Sequence, residues 1–115
     1  NVFFLAFADG LPVGYAKLKK HSPNESLDDN SPAQLQKIYL LSDFIGQRIG
    51  EKLQNALFEE VIANNIKTLW LAVWDENPPG IRFYERHGFR KESRYSYEFK
   101  GKRADFEVMV KKFEV

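Results

Sequence analysis

Leu35-Gln36-Lys37-Ile38-Tyr39-Leu40-Leu41, followed by Ser42-Asp43-Phe44-Ile45-Gly46-Gln47-Arg48-Ile49-Gly50-Glu51, is the stretch on which the fold turns. Its first half has strand character. From Ile45 onward the apolar positions fall at Ile49, Leu53, Ala56, Leu57 and Val61, with Arg48, Glu51, Lys52, Asn55 and Glu59 on the remaining face. That spacing predicts an amphipathic helix running from Ile45 to about Asn64-Asn65. A strand that enters a helix through a glycine-bearing turn presents unpaired backbone N–H groups and the positive end of the helix dipole to whatever occupies the turn. Gly46 and Gly50 would let an anion such as a pyrophosphate approach the backbone with no Cβ in the way. On pattern alone, two glycines four apart near a helix start are more often packing or cap residues than an anion cradle.

Upstream, Val2 to Ala8 and Val13 to Leu18 are β-rich runs joined by Asp9-Gly10-Leu11-Pro12, which predicts a hairpin. His21 to Pro32 is rich in Ser, Asn, Asp and Pro and has almost nothing to bury, so an exposed loop is expected. Downstream, Thr68 to Trp74 is apolar on both faces, as a central strand covered from two sides must be. Asn77 can cap a helix, Pro78 suits its first position and Gly88 its exit, predicting a short helix over Pro78 to His87 that carries Ile81, Phe83 and Tyr84. Arg94 to Phe99 and Phe106 to Phe113 flank Lys100-Gly101-Lys102 and form a closing hairpin. The predicted order is β-β-β-α-β-α-β-β, an α+β fold with a mixed sheet in which the helices are the only crossovers between parallel neighbours.

A chain of 115 residues suffices for one domain, expected over residues 1–115, and the 43% hydrophobic content supports a packed core. Seventeen basic against sixteen acidic residues, with no block of like charge, argue against a nucleic-acid partner. Absence of cysteine removes disulfides, thiolate metal sites and cysteine nucleophiles. Two isolated histidines give a transition metal no support, so no metal is expected. No apolar run approaches the roughly 20 residues needed to span a bilayer, so a soluble, cytoplasmic protein without a membrane partner is expected. The alternating Tyr95, Tyr97 and Phe99 fit core or edge packing better than base stacking.

The two stretches together carry a resemblance. Leu35 to Leu41 followed by Ile45-Gly46-Gln47-Arg48-Ile49-Gly50 resembles the acetyl-CoA motif of GCN5-related N-acetyltransferases, which usually reads Gln/Arg-x-x-Gly-x-Gly/Ala. Asn77-Pro78-Pro79-Gly80-Ile81-Arg82-Phe83-Tyr84 with Gly88-Phe89 is similar to the family's Asn-x-x-Ala-x-x-Phe-Tyr segment and its Gly-Phe exit. Ile45 stands where the family prefers Gln or Arg, and Arg48 where it prefers Gly. The family usually begins with a strand and two helices that help shape the acceptor pocket. This chain starts at what resembles the second strand, so an N-terminally incomplete family fold is expected, with apolar surface exposed on one side of the sheet.

The resemblance implies an acetyl-CoA-dependent acyltransferase that acetylates a primary amine, a polyamine or other small amine. It also implies no metal. The cofactor contacts it implies are Tyr39, Leu40, Ile45, Gly46, Gln47, Arg48, Ile49, Gly50, Glu51, Asn77 and Tyr84. Of these, Tyr84 would donate a proton to the CoA sulfur and the backbone N–H of Leu40 would polarise the acetyl carbonyl, provided the sheet splays there. Each has a plain alternative: a core tyrosine, a paired strand residue and, for Asn77, a helix cap with no ligand. Family relatives often carry Glu near the start of the motif strand, where this chain has Gln34, and no base is assigned. Glu25, Asp28 and Asp29 are better explained as solvated charges, and His21 and His87 as surface residues. The expected partners are acetyl-CoA and a small amine, with a homodimer allowed. The competing reading is a catalytically inactive CoA-binding or protein-interaction module of the same fold.

Overall fold

The computed structural model describes residues 1–45 and 48–114. Strands β1 (Val2–Ala8), β2 (Leu11–Lys19) and β3 (Ala33–Leu40) precede a 3-10 turn at Ser42–Phe44 and helix α1 (Ile49–Ala63). Then follow β4 (Thr68–Trp74), helix α2 (Pro78–Arg86), β5 (Arg90–Phe99) and β6 (Lys102–Lys112). The strands form one mixed sheet in the order β1-β2-β3-β4-β6-β5. Both hairpins close through two-residue turns of left-handed backbone, at Asp9-Gly10 and at Lys100-Gly101. Such turns match the twist of the strands they join.

Element order agrees with the sequence, but β5 and β6 each begin four residues earlier than expected, at Arg90 and Lys102, and three further details differ. The first helix starts at Ile49 instead of Ile45, because Arg48 takes up a left-handed conformation (φ 61°, ψ 17°) that interrupts the helical path. Only α1 crosses between parallel neighbours, β3 and β4. Helix α2 instead leads from β4 to the edge strand β5, and β6 returns between them, antiparallel to both. The 21–32 segment is not simply exposed. Ser22 and Pro32 are buried, Trp70 Nε1–H donates to the Ser22 carbonyl at 2.8 Å, and Leu27 packs on Trp70, Val108 and Val110. Within the loop Asn24 Oδ1 accepts from Ser26 N–H and Asp29 Oδ1 from Ser31 N–H, while the Ser22 hydroxyl donates to Gln34 Oε1 of β3, so side chains meet part of the segment's polar groups as it covers the indole.

Helix α1 lays Leu53, Leu57 and Val61 on Leu18, Leu35, Leu69, Leu71 and Met109, the main core. Phe58 of α1 meets Phe89 and Phe113, fastening α1 to the chain beyond α2 and to the end of the sheet. Gln54 is fully buried in the same helix face and, among the described residues, neither polar atom of its amide has a partner. The opposite face of the sheet is open at β1, where Phe3, Leu5 and Phe7 are each more than half exposed. Tyr95, Tyr97 and Phe99 lie on the edge strand, with Tyr95 stacked on Phe106.

Candidate active site

Strands β3 and β4 are the only parallel pair among the described residues, and their pairing is short: Ala33 meets Leu69, Gln34 meets Trp70, and the register ends there. Beyond it the two strands diverge. On its other edge β3 stays paired with β2 out to Gly14 and Leu40, and the Leu41 N–H donates to the Val13 carbonyl at 2.9 Å. Successive N–H groups of a strand point to opposite sides, so the Leu40 N–H faces the gap. Gly14 makes this arrangement possible. A Cβ there would lie 2.5 Å from Leu40 Cδ2 and 2.6 Å from the Tyr39 carbonyl oxygen, so only glycine lets β2 approach β3 so closely.

The gap opens into a cleft of about 680 Å³ between the diverging strand ends, the start of α1 and the inner side of α2. Leu40, Ile45, Arg48, Gly50, Glu51, Asn77 and Tyr84 all line it. Ile49 does not; its side chain packs on the main core. Tyr39 does not either. It is exposed on the far face, in a row with Tyr15 and Phe3. Gly46 and Gln47 lie outside the described residues.

At the entrance to α1, Arg48 makes no side-chain cap, and Lys52 N–H is the first amide to find a helical acceptor, the Arg48 carbonyl at 3.1 Å. The amides of Ile49, Gly50 and Glu51 therefore have no acceptor within the helix, and together with the dipole they make an anion-attracting end. A Cβ at Gly50 would come within 3.4 Å of Leu40 Cδ1 and 3.9 Å of Phe83 Cζ, narrowing the passage from helix end to strand gap. Lys37, Arg48 and Arg86 outnumber Glu51 among the charged residues of the lining, so the cleft favours an anionic ligand.

Across the cleft, Asn77 caps α2: its Oδ1 accepts from Gly80 N–H at 3.2 Å and its carbonyl from Ile81 N–H at 3.1 Å. Two turns on, Tyr84 is wedged between Phe83 and Phe89, with ring centroids 5.4 and 5.6 Å away. Burial raises the pKa of its phenol above the ordinary tyrosine value, so the group stays protonated through neutral pH. Among the described residues the hydroxyl has no hydrogen-bond partner. His87 Nδ1–H donates to the Phe83 carbonyl at 2.7 Å, and its ring lies 4.5 Å from that of Phe83, closing the outer end of the helix.

Sequence inspection did not single out Trp74, Lys37, Phe83 or Gly14 for the site. Trp74 and Phe83 are apolar and look like core residues; Lys37 reaches the cleft because of where the strands part, which no local pattern records.

A mixed sheet that splays at its parallel pair, with a donor-rich helix end beside the gap, defines an α+β fold with a cleft between its central strands. The model of the acetyltransferase (GNAT) family matches residues 1–89, and the chain belongs to that family. It is 29% identical over 98 residues to an uncharacterised N-acetyltransferase in the pepI 3′ region of Lactobacillus delbrueckii subsp. lactis. The match covers 84% of this chain and 56% of that protein, so the chain spans little more than half the length of its curated relative. Among solved structures, the ribosomal-protein-alanine N-acetyltransferase of Brucella melitensis superposes with a TM-score of 0.81 at 24% identity, over 96% of this chain and 68% of the other. The PaiA N-acetyltransferase of Thermoplasma acidophilum, solved in complex with coenzyme A, gives 0.73 at 27% identity, over 97% and 60%.

Proposed function

We propose that this chain binds acetyl-CoA in the cleft and transfers the acetyl group to a primary amine of a small molecule, polyamines included. The observation that carries the reading is the splay between β3 and β4, which leaves the Leu40 N–H facing the same cleft as the Tyr84 phenol. The residues present fit the donor. The amides of Ile49, Gly50 and Glu51, which have no acceptor among the described residues, suit its diphosphate, with Arg48 beside them to add charge-assisted bonds, and the absent Cβ of Gly50 leaves room for the pantetheine arm. That a relative of this fold was solved in complex with coenzyme A supports a coenzyme A ligand for this chain.

Bound there, acetyl-CoA supplies an activated thioester. The Leu40 N–H would donate to the carbonyl oxygen as negative charge develops on it, at a position where the backbone needs no rearrangement. The Tyr84 hydroxyl, kept protonated by burial, would hand its proton to the departing sulfur and close the proton balance on that side. Apolar Phe83, Val73 and Trp74 keep water from the thioester. Among the described residues no helix is long and apolar enough to cross a membrane, and a cytoplasmic location belongs to this proposal together with the amine acceptor and a homodimeric assembly.

The test is thioester consumption. Acetyl-CoA is incubated with the chain and a panel of amines that includes spermidine, and free thiol is followed. Amine-dependent thiol release that is lost in Tyr84→Phe supports the proposal. Tight CoA binding with no thiol release, and no effect of Tyr84→Phe, would convert the chain into a binding module.

A further inference from the structure

The guanidinium of Arg94, on edge strand β5, is gripped by two carboxylates. Its Nη2 donates to Asp75 Oδ2 at 2.7 Å and its Nε faces Glu107 Oε1 at 3.3 Å. These acids come from different places. Glu107 sits on β6, directly opposite Val73 of β4 on one side and Arg94 on the other, and is largely buried. Asp75 is the first residue after β4, in the turn that launches α2; Asn77, two residues later, caps that helix. The turn is otherwise held by two backbone bonds, Asp75 N–H to the Asp105 carbonyl and Asn77 N–H to the Trp74 carbonyl, both 3.0 Å. Arg94 is thus the side-chain tie between the turn and the fully paired part of the sheet.

The cation does more than add a contact. Asp75 and Glu107 both reach one guanidinium, so without it two carboxylates face each other over a short distance, one of them largely buried, and repel. The member free to yield is Asp75, because Glu107 is held in a ladder paired on both sides. Yielding would swing the turn, Asn77 and the first turn of α2, and with them the helix that carries Tyr84.

We propose that Arg94 is a positioning residue for the cleft: it neutralises Asp75 and Glu107 and so fixes the turn from which α2 aims Asn77 and Tyr84 at the strand gap. Where it concerns transfer, this inference rests on the proposed function; where it concerns the turn, it stands on the geometry alone.

The test compares Arg94→Met, Arg94→Lys and the double variant Arg94→Met/Asp75→Asn in the chain as it stands. Hydrogen exchange reads the turn directly through the amides of Gly80 and Ile81, which Asn77 caps. In Arg94→Met those two amides are expected to exchange roughly tenfold faster or more, while Leu71 and Met109 in the β4–β6 ladder keep their rates. The double variant, relieved of the repulsion, is expected to recover most of the protection, and Arg94→Lys to stay near the parent. In thiol-release assays kcat should fall roughly tenfold in Arg94→Met, with the KM for acetyl-CoA changed far less, and should recover in the double variant. Unchanged exchange at Gly80 and Ile81, equal acceleration of the ladder amides, or a double variant as loose as Arg94→Met would overturn the inference. If the parent chain releases no thiol with any amine, the transfer proposal fails, while the exchange data still decide the clamp.

Discussion

The two flanks of β4 are built by opposite rules. Toward β6 it pairs antiparallel along its whole length, from Thr68–Lys112 to Trp74–Phe106; toward β3 it pairs parallel for two residues and then lets go. One flank satisfies every ladder group and presents Val108, Met109 and Val110 as buried core. The other leaves main-chain donors and a cleft about 680 Å³ in volume. A backbone N–H facing a gap costs stability unless water or a ligand meets it, so the loose flank is where a ligand has most to offer. In the proposed function the chemistry belongs to the unpaired side of β4, and the paired side holds it still.

The largest effect should come from taking the acid out of the loose flank. Tyr84→Phe keeps the ring between Phe83 and Phe89 and removes only the hydroxyl, which has no partner among the described residues, so folding should hardly change. Expected is a fall in kcat of about 10²-fold or more with CoA affinity held, measured by steady-state kinetics and calorimetry. The phenol also gives the parent a pH signature. Because burial raises its pKa, the proton is retained above the usual tyrosine value, and the alkaline limb of kcat should lie above the ordinary tyrosine range and be absent in Tyr84→Phe. The same shift makes the folded state hold a proton that the unfolded chain has lost. This contribution to stability is therefore full below the unfolded tyrosine pKa and is lost as pH rises through the folded one.

Next comes closing the gap by force. Gly14→Ala would drive a methyl into Leu40 Cδ2 and the Tyr39 carbonyl, and since the second contact is backbone, β3 must move. A stability loss of about 1–3 kcal/mol in denaturant unfolding is expected. The Leu40 N–H would also be re-aimed, so transfer should fall by roughly tenfold in the fraction that stays folded. A variant with parental kcat would show that the position of Leu40 has no bearing on catalysis.

These flanks differ as well in how far sequence alone describes them. Thr68 to Trp74 as a central strand, the closing hairpin and the Asn77-Pro78 helix start follow from apolar runs, turn residues and a cap, which are local signals. The loose flank depends on through-space facts. Ile45 keeps helical spacing with Ile49, so periodicity carries the helix one turn too far, and only the left-handed backbone at Arg48 stops it. Tyr39 and Leu40 are neighbours in the motif, but strand alternation sends Tyr39 to the far face; the period of two was there to be used. Gly14 and the Asp75–Arg94–Glu107 clamp leave no trace in any window, because their meaning lies in which strands become neighbours. Ser22 and Pro32 are buried because Trp70 needs a cover and an acceptor. A rule that weighs residue types without partners cannot supply that.

Gln54 offers a stability test behind the cleft. Its amide is fully buried with neither polar atom partnered among the described residues, so Gln54→Leu replaces two unmet groups by apolar surface of similar volume in the α1 face that meets the core. A gain of about 1–3 kcal/mol in denaturant unfolding is expected, with little change in kcat. A loss of stability would mean that the amide is satisfied in solution by a buried water.

The smallest effect separates strain from binding at the entrance to α1. Arg48 holds a left-handed conformation that costs a non-glycine residue about 1–2 kcal/mol, and its side chain lines the cleft with no cap bond to repay that cost. If the strain is tolerated for the sake of the guanidinium, Arg48→Gly should move two quantities in opposite directions. Thermal stability should rise by up to about 1 kcal/mol, since glycine takes this backbone freely. Affinity for CoA should fall by roughly three- to tenfold, and its dependence on salt should become shallower with one cation fewer near the diphosphate. Pantetheine, which has no phosphates, should bind both forms equally. Loss of affinity for pantetheine as well would trace the effect to the backbone at the helix start, whereas unchanged CoA binding would leave the free amides of Ile49, Gly50 and Glu51 as the whole of the anion site.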